Sequence, residues 1–146
     1  MAQDRVLRII NGSPTSTATA DNIEDFANAE GAVVVNDAVY ISASSTVAKA
    51  STAQGWCIGI VFELNGTTAC RVITAGLLEN FSTGMEVGTR YFLTTTPGVL
   101  STAASGWMAG VAVSATSLLV SPRAVLTVGT TAPAMPSMGD LWVDTN

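Results

Sequence analysis

The residue types that usually carry chemistry are thinly represented in this chain. It has no histidine, so it lacks the side chain most often used for proton transfer near neutrality and the commonest metal ligand. Asp21, Glu24 and Asp25 are the closest group of carboxylates and suit a hard cation such as calcium. A calcium loop, however, needs more oxygen ligands at fixed spacing, and a solvated polar segment fits these three better. Asp37, Glu63, Glu79 and Glu86 follow no motif spacing. Serine and threonine are abundant, but no G-x-S-x-G elbow or partner base accompanies them, and no Gly-rich phosphate loop is present. The reading is non-enzymatic, with no catalytic residue, cofactor or metal ligand assigned.

The remaining reactive or sticky groups are two cysteines and a few aromatic rings. Asn65-Gly66 is a hairpin signal, because both residues tolerate the positive φ of a tight turn. A turn there pairs Leu64 with Thr67, Val61 with Cys70 and Cys57 with Thr74, so the two cysteines do not face each other. Both are expected reduced and partly buried. Trp56, Trp107 and Tyr91 have the ring chemistry of a carbohydrate-stacking platform, but their apolar neighbours favour packing in a core or subunit interface.

The elements that hold these groups are duplicated. Residues 34–62, VVNDAVYISASSTVAKASTAQGWCIGIVF, align without a gap to residues 85–113, MEVGTRYFLTTTPGVLSTAASGWMAGVAV, at a constant offset of 51. Tyr40 meets Tyr91, Gly55-Trp56 meets Gly106-Trp107, and Gly59 meets Gly110. Each copy reads as a tyrosine-bearing strand, a Ser/Thr/Ala loop, a GW-x-x-G strand and a reversal into a further strand. The glycines of GW-x-x-G suit bulging or close backbone packing at a barrel corner. Val33–Ser42, Trp56–Leu64, Ala69–Ala75, Thr89–Thr95, Trp107–Val113 and Ser117–Pro122 are expected strands, being rich in β-branched and aromatic residues and bounded by turn formers. In the second of these, Ile58, Ile60, Phe62 and Leu64 alternate with Cys57, Gly59, Val61 and Glu63, which predicts one core-facing side. Pro97-Gly98 marks a turn. The fold class is therefore all-β, a small barrel or sandwich of two repeated units spanning residues 32–127.

An extended N-terminal arm, residues 1–31, and a C-terminal tail, residues 128–146, flank this body. The arm opens on the apolar run Val6–Ile10 and passes through NGSPTSTATA. Asp21 and Glu24 suit either a capped helical turn carrying Ile23 and Phe26 or an irregular loop. In the tail, Pro133 and Pro136 disfavour helix, and Leu141-Trp142-Val143 forms an apolar clip between Asp140 and Asp144. Val6, Ile9, Ile10 and Trp142 are the candidate partner-contact residues, through strand addition for the arm and groove docking for Trp142.

Only 12% of the 146 residues are charged, against about 25% in ordinary soluble proteins. A surface so poor in charge calls for cover by other chains, and a homo-oligomer is expected. The net charge of −5 and the six scattered cations disfavour nucleic acid as a partner. The apolar runs fall well short of the roughly 18 residues that suggest a membrane helix. MAQDRVLRII carries Asp4 and Arg8 where an export signal is apolar, so synthesis in a cytoplasm is expected.

The succession NDAVYIS, GIVFELNGTTACRVITAG, GTRYFLTTTPGVLSTAASG and MAGVAVSATSLLVSP resembles the small β-barrel modules of tailed-bacteriophage structural proteins, among them capsid decoration (cement) proteins and head or tail fibres. The matching positions are Gly88, Tyr91, Phe92, Leu93, Thr94, Gly98, Leu100 and Ser101 for one motif, and Gly110, Ala112–Thr116, Leu118–Val120 and Pro122 for the next. GTTAPAMPSMGDLW is similar to segments near the ends of phage fibre chains. The resemblance implies a homotrimeric virion protein on the outer capsid surface, with the major capsid protein as partner and neither nucleic acid nor membrane bound. The chain lacks a fibre's long repetitive shaft, which favours decoration over a head-fibre, tail-tip or tail-fibre component. A carbohydrate-binding module is the alternative from another class.

Overall fold

The computed structural model describes residues 22–28 and 32–129 together with 141–144; at 28, 126–129 and 141–144 only the backbone is described. Among the described residues there are twelve strands and no helix. The first five, β1 (Ile23–Asn28), β2 (Ala38–Ala43), β3 (Thr46–Lys49), β4 (Gly59–Asn65) and β5 (Ala69–Ile73), form a closed barrel in the order β1-β3-β2-β4-β5. The next five, β6 (Gly76–Leu78), β7 (Arg90–Leu93), β8 (Leu100–Ser101), β9 (Trp107–Ala112) and β10 (Leu118–Ala124), form an open sheet in the order β6-β10-β9-β7-β8. β11 (Leu126–Gly129) and β12 (Leu141–Asp144) pair in parallel, with Thr127 opposite Trp142.

The duplication is a duplication of topology. Within the barrel β2 pairs antiparallel with β3 and β4, and β4 with β5. Within the sheet β7 pairs antiparallel with β8 and β9, and β9 with β10. The match extends beyond the aligned sequence. β1 and β6 each precede their copy and pair antiparallel with its last strand, Asp25 opposite Arg71 and Leu77 opposite Leu119. The copies part where the first closes: β1 also pairs in parallel with β3, Ala27 opposite Thr46, whereas among the described residues β6 meets β10 alone.

Gly59 and Gly110 explain why GW-x-x-G recurs. A Cβ on Gly59 would clash with the Ile73 carbonyl oxygen, well inside van der Waals contact, and one on Gly110 would lie 2.5 Å from the Leu119 carbonyl oxygen. Each glycine lets the following hairpin strand close over it at the same point of the repeat.

Three clusters make up the core. Val33, Val39, Val47, Val61, Cys70 and Val72 fill the barrel. Ile60 and Ile73 of the barrel meet Leu78, Leu118 and Val120 of the sheet. Ala38, Ala50 and Cys57 meet Leu93 and Ala109. β4 is thus buried on both faces, with Val61 in the barrel and Ile60 in the seam, each fully inaccessible. The single core-facing side expected from its alternation is replaced by two, because a second layer covers the barrel wall. Leu64, at its far end, is exposed.

Backbone bonds also cross the seam. The Gly98 amide donates to the Ala50 carbonyl (2.8 Å), and the Gly98 carbonyl accepts from the Ala38 amide (2.9 Å). Gly98 has φ +84° and approaches the Asp37 carboxylate so closely that a Cβ would lie 2.6 Å from Oδ1. The Pro97-Gly98 turn expected from sequence therefore plugs the sheet into the barrel.

Two readings of the sequence are corrected. Ile23–Asn28 is neither a capped turn nor a loop but a barrel strand, held antiparallel to β5 across five residue pairs. The hairpin at Asn65-Gly66 has a longer loop than a two-residue turn: Asn65 pairs with Ala69, Leu64 with Cys70, and, beyond a bulge, Val61 with Val72. Gly66 supplies the positive φ, +74°. The cysteines remain unpaired, both buried and free.

Candidate interaction surface

β10 alternates in the manner of a strand with one face on a core: Leu118 is fully buried, Leu119 43% exposed and Val120 buried. Its outward residue is nevertheless apolar. The register places Leu77, Leu119, Val111 and Arg90 side by side on β6, β10, β9 and β7. Leu77 is 54% exposed, and Val113, at the end of β9, is also exposed. The outer face of the second sheet is thus an apolar stripe ending in one cation. The equivalent face of the barrel is occupied: Ile60, which matches Val111 in the repeat, lies in the seam, and Val39, which matches Arg90, fills the barrel.

Beside β6 lies a groove of about 450 Å³ lined by Asn22, Ile23, Phe62, Ile73 and Ala75–Glu79. It opens between the outer edge of β6 and the start of β1, and Glu79 is the one charged residue among its described lining.

Five charged groups of the barrel, Asp25, Asp37, Lys49, Glu63 and Arg71, pair with one another. Arg71 on β5 bonds Asp25 on β1 (Nε–Oδ1, 3.1 Å) and Glu63 on β4 (Nη1–Oε2, 3.2 Å), and its guanidinium stands 5.4 Å from the centre of the Phe62 ring. Asp25 is therefore a strand residue in an ion pair. Glu24 is on the same strand, while Asp21 lies outside the described residues. Asp37, nearly buried, accepts from the Val34 amide (2.8 Å) and pairs with Lys49 (3.3 Å) beside the Gly98 turn. No group of three or more His, Cys, Asp or Glu able to hold a metal occurs among the described residues.

The tyrosines of the repeat sit on equivalent strands, Tyr40 on β2 and Tyr91 on β7, with different partners, while Trp56 precedes β4 and Trp107 opens β9. Tyr40 packs edge-on against Trp56 (5.9 Å, 74°), whereas Tyr91 packs edge-on against Phe81 (6.0 Å, 81°). Trp107 is half-buried against the seam. Its indole Nε1 and the nearby Ser105 Oγ are buried without a hydrogen-bond partner. The Cys57 thiol on that side is too poor an acceptor to complete the indole's bond. Burial pushes the Cys57 thiol up to about 12, a rise that Trp107 and the Gly59 backbone offset only in part. Burial and the Asp25 carboxylate push the Cys70 thiol up as well. Neither sulfur is poised for nucleophilic chemistry.

Of the residues expected to contact a partner, Val6, Ile9 and Ile10 lie outside the described residues. Trp142 is placed only by its backbone, on β12 opposite Thr127. Sequence reading missed the β6–β10–β9 face. Its signal was SLLVS: both leucines fit a buried strand, and only the register shows that Leu119 points away from the seam.

Comparison of the chain with family models, curated proteins and solved structures finds no match.

Proposed function

We propose that this chain is a non-enzymatic virion structural protein, a decoration or cement protein that binds the outer surface of a tailed-phage head and stabilises the shell, acting as a homotrimer. The observation that carries the reading is the apolar row Leu77-Leu119-Val111 on the outer face of the second sheet. A monomer leaves this row in water, whereas an assembled protein covers it. The low charge and the motif resemblance set out above point the same way. The mechanism is mechanical. A chain that binds the closed shell and not its separated subunits stabilises the closed state by mass action, and contacts of about 800 Å² per partner suffice for specific attachment. The major capsid protein and further copies of this chain are the partners of this reading.

The test is to image particles with and without the protein, then add purified protein back to shells that lack it. The reading requires density on the outer surface and a higher temperature of genome release after add-back. Unbound protein and unchanged release would overturn it. A head-fibre or tail component would instead show density at a vertex or on the tail.

One feature favours a carbohydrate-binding module as the second reading: a cleft of about 240 Å³ where Tyr91 and Phe81 stand beside Asn36, Asp37 and Ser82. The cleft is smaller than the roughly 300–1,000 Å³ usual for ligand pockets. Asn36 Nδ2 is already engaged with the Phe81 carbonyl (2.9 Å), and Asp37 with Val34 and Lys49. Chemical-shift changes at Tyr91 on titration with a panel of oligosaccharides would support that reading.

A further inference from the structure

We infer that the groove beside β6 is the seat of this chain's own apolar run Val6–Ile10, which adds to the free edge of β6 as a sixth strand of the second sheet. Three observations converge. First, the barrel is closed, whereas among the described residues the second sheet ends in the edge strands β6 and β8, of which β6 borders the groove, and an unpaired edge is a template for another strand. Second, the groove is bounded by β6 on one side and, on the other, by Asn22 and Ile23 at the rim where the described chain enters β1. Residues 11–21 join Ile10 to that rim and span up to about 36 Å when extended, ample for a return to β6. An attached segment acts at an effective concentration on the order of millimolar, which favours the chain's own run over that of a second copy.

Third, the run has the pattern this position requires. In a strand Leu7 and Ile9 share one side, and Val6, Arg8 and Ile10 the other. A strand at the β6 edge has the groove on one side and the Leu77-Leu119 row on the other, so both sides call for apolar residues. Leu7 and Ile9 fill the groove, and Val6 and Ile10 lengthen the outer row. The one cation of the run, Arg8, falls with Val6 and Ile10 on the outer side, toward the exposed Glu79, the one charged residue of the groove's described lining. The inference does not depend on the shell being the partner.

The experiment places one cysteine at Leu7, Arg8 or Ile9 in turn and a second at Leu77 in the full chain, and oxidises each variant. Cys57 and Cys70 are buried and do not compete. The expected product is a cross-linked monomer, formed at a rate independent of protein concentration, with at least one position reacting far faster than its neighbours. A cross-linked dimer would assign the groove to a second copy's segment, and no cross-link at any position would leave it without this occupant; either result overturns the inference. Hydrogen exchange gives a second readout. The amides of Gly76–Glu79 should exchange about tenfold or more faster once residues 2–20 are deleted, with those of Val61 and Val72 unchanged. Equal exchange at Gly76–Glu79 in a folded deletion variant also overturns it.

Discussion

The two copies start from the same strand plan and end differently: the first is a closed barrel, the second an open sheet. Two local differences account for this. β1 runs for six residues and reaches β3, whereas β6 runs for three and stops short of β8. The loop between β7 and β8, bearing Pro97-Gly98, makes its backbone bonds with Ala38 and Ala50 of the barrel, which draws β8 toward the seam. Closure frees the first copy of exposed edges and buries Val39 inside the barrel, while the second sheet covers Ile60 on the barrel's outer wall. The open second copy shows Arg90 and Val111 at the matching positions. Duplication here has produced one closed scaffold and one sheet with an exposed apolar face.

The most damaging way to break the likeness is at the shared glycines. Gly59→Ala forces a methyl group into the Ile73 carbonyl, and Gly110→Ala one into the Leu119 carbonyl. Gly59→Ala should cost about 3 kcal/mol or more and Gly110→Ala somewhat less, about 1–3 kcal/mol, since the open sheet can give way. Denaturant unfolding of both variants checks the order. Equal and negligible losses would mean that the glycines do not serve the hairpin closure assigned to them.

Leu118→Ala removes a fully buried side chain from the seam and should cost about 2–5 kcal/mol. The barrel and the sheet share this cluster, so their amides should lose protection together. Loss confined to the sheet would show that the copies unfold separately.

Cys57 sharpens the comparison at alkaline pH. Its equivalent, Met108, does not titrate, whereas the Cys57 thiol is raised from 9.0 to about 12 by burial. The neutral thiol is the form the fold favours. Its contribution is therefore complete below pH 9.0 and is lost as pH rises toward about 12, where the unfolded chain already holds thiolate. Cys57→Ala should flatten the fall in stability across that window by up to about 4 kcal/mol relative to the unaltered chain. An identical pH slope would contradict the assignment.

The strands legible in the sequence were those whose residues alternate or cluster as β-branched and aromatic runs: β2, β4, β5, β7, β9 and β10. The missed ones are short or compositionally plain. β3 is Thr-Val-Ala-Lys inside a Ser/Thr/Ala loop, and β6 is Gly-Leu-Leu. β1 carries Glu24 and Asp25 in its centre, where local capping chemistry competes with a strand, and it is the Asp25–Arg71–Glu63 pairing across three strands that resolves the competition. The Trp/Gly repeat gave the architecture because it encodes a backbone contact. The outer face was hidden because a leucine on an open sheet and a leucine in a core look alike until register assigns each its side.

The central claim, that the second sheet's outer face is covered by protein, is tested most directly by light-scattering mass at low micromolar concentration for the unaltered chain and for Leu119→Lys. Leu119 is 43% exposed, so the substitution should change the stability of the fold itself by no more than about 0.5 kcal/mol. The account predicts a trimer for the unaltered chain and a folded monomer for Leu119→Lys. A folded monomer in both cases, or a trimer untouched by the lysine, would contradict it.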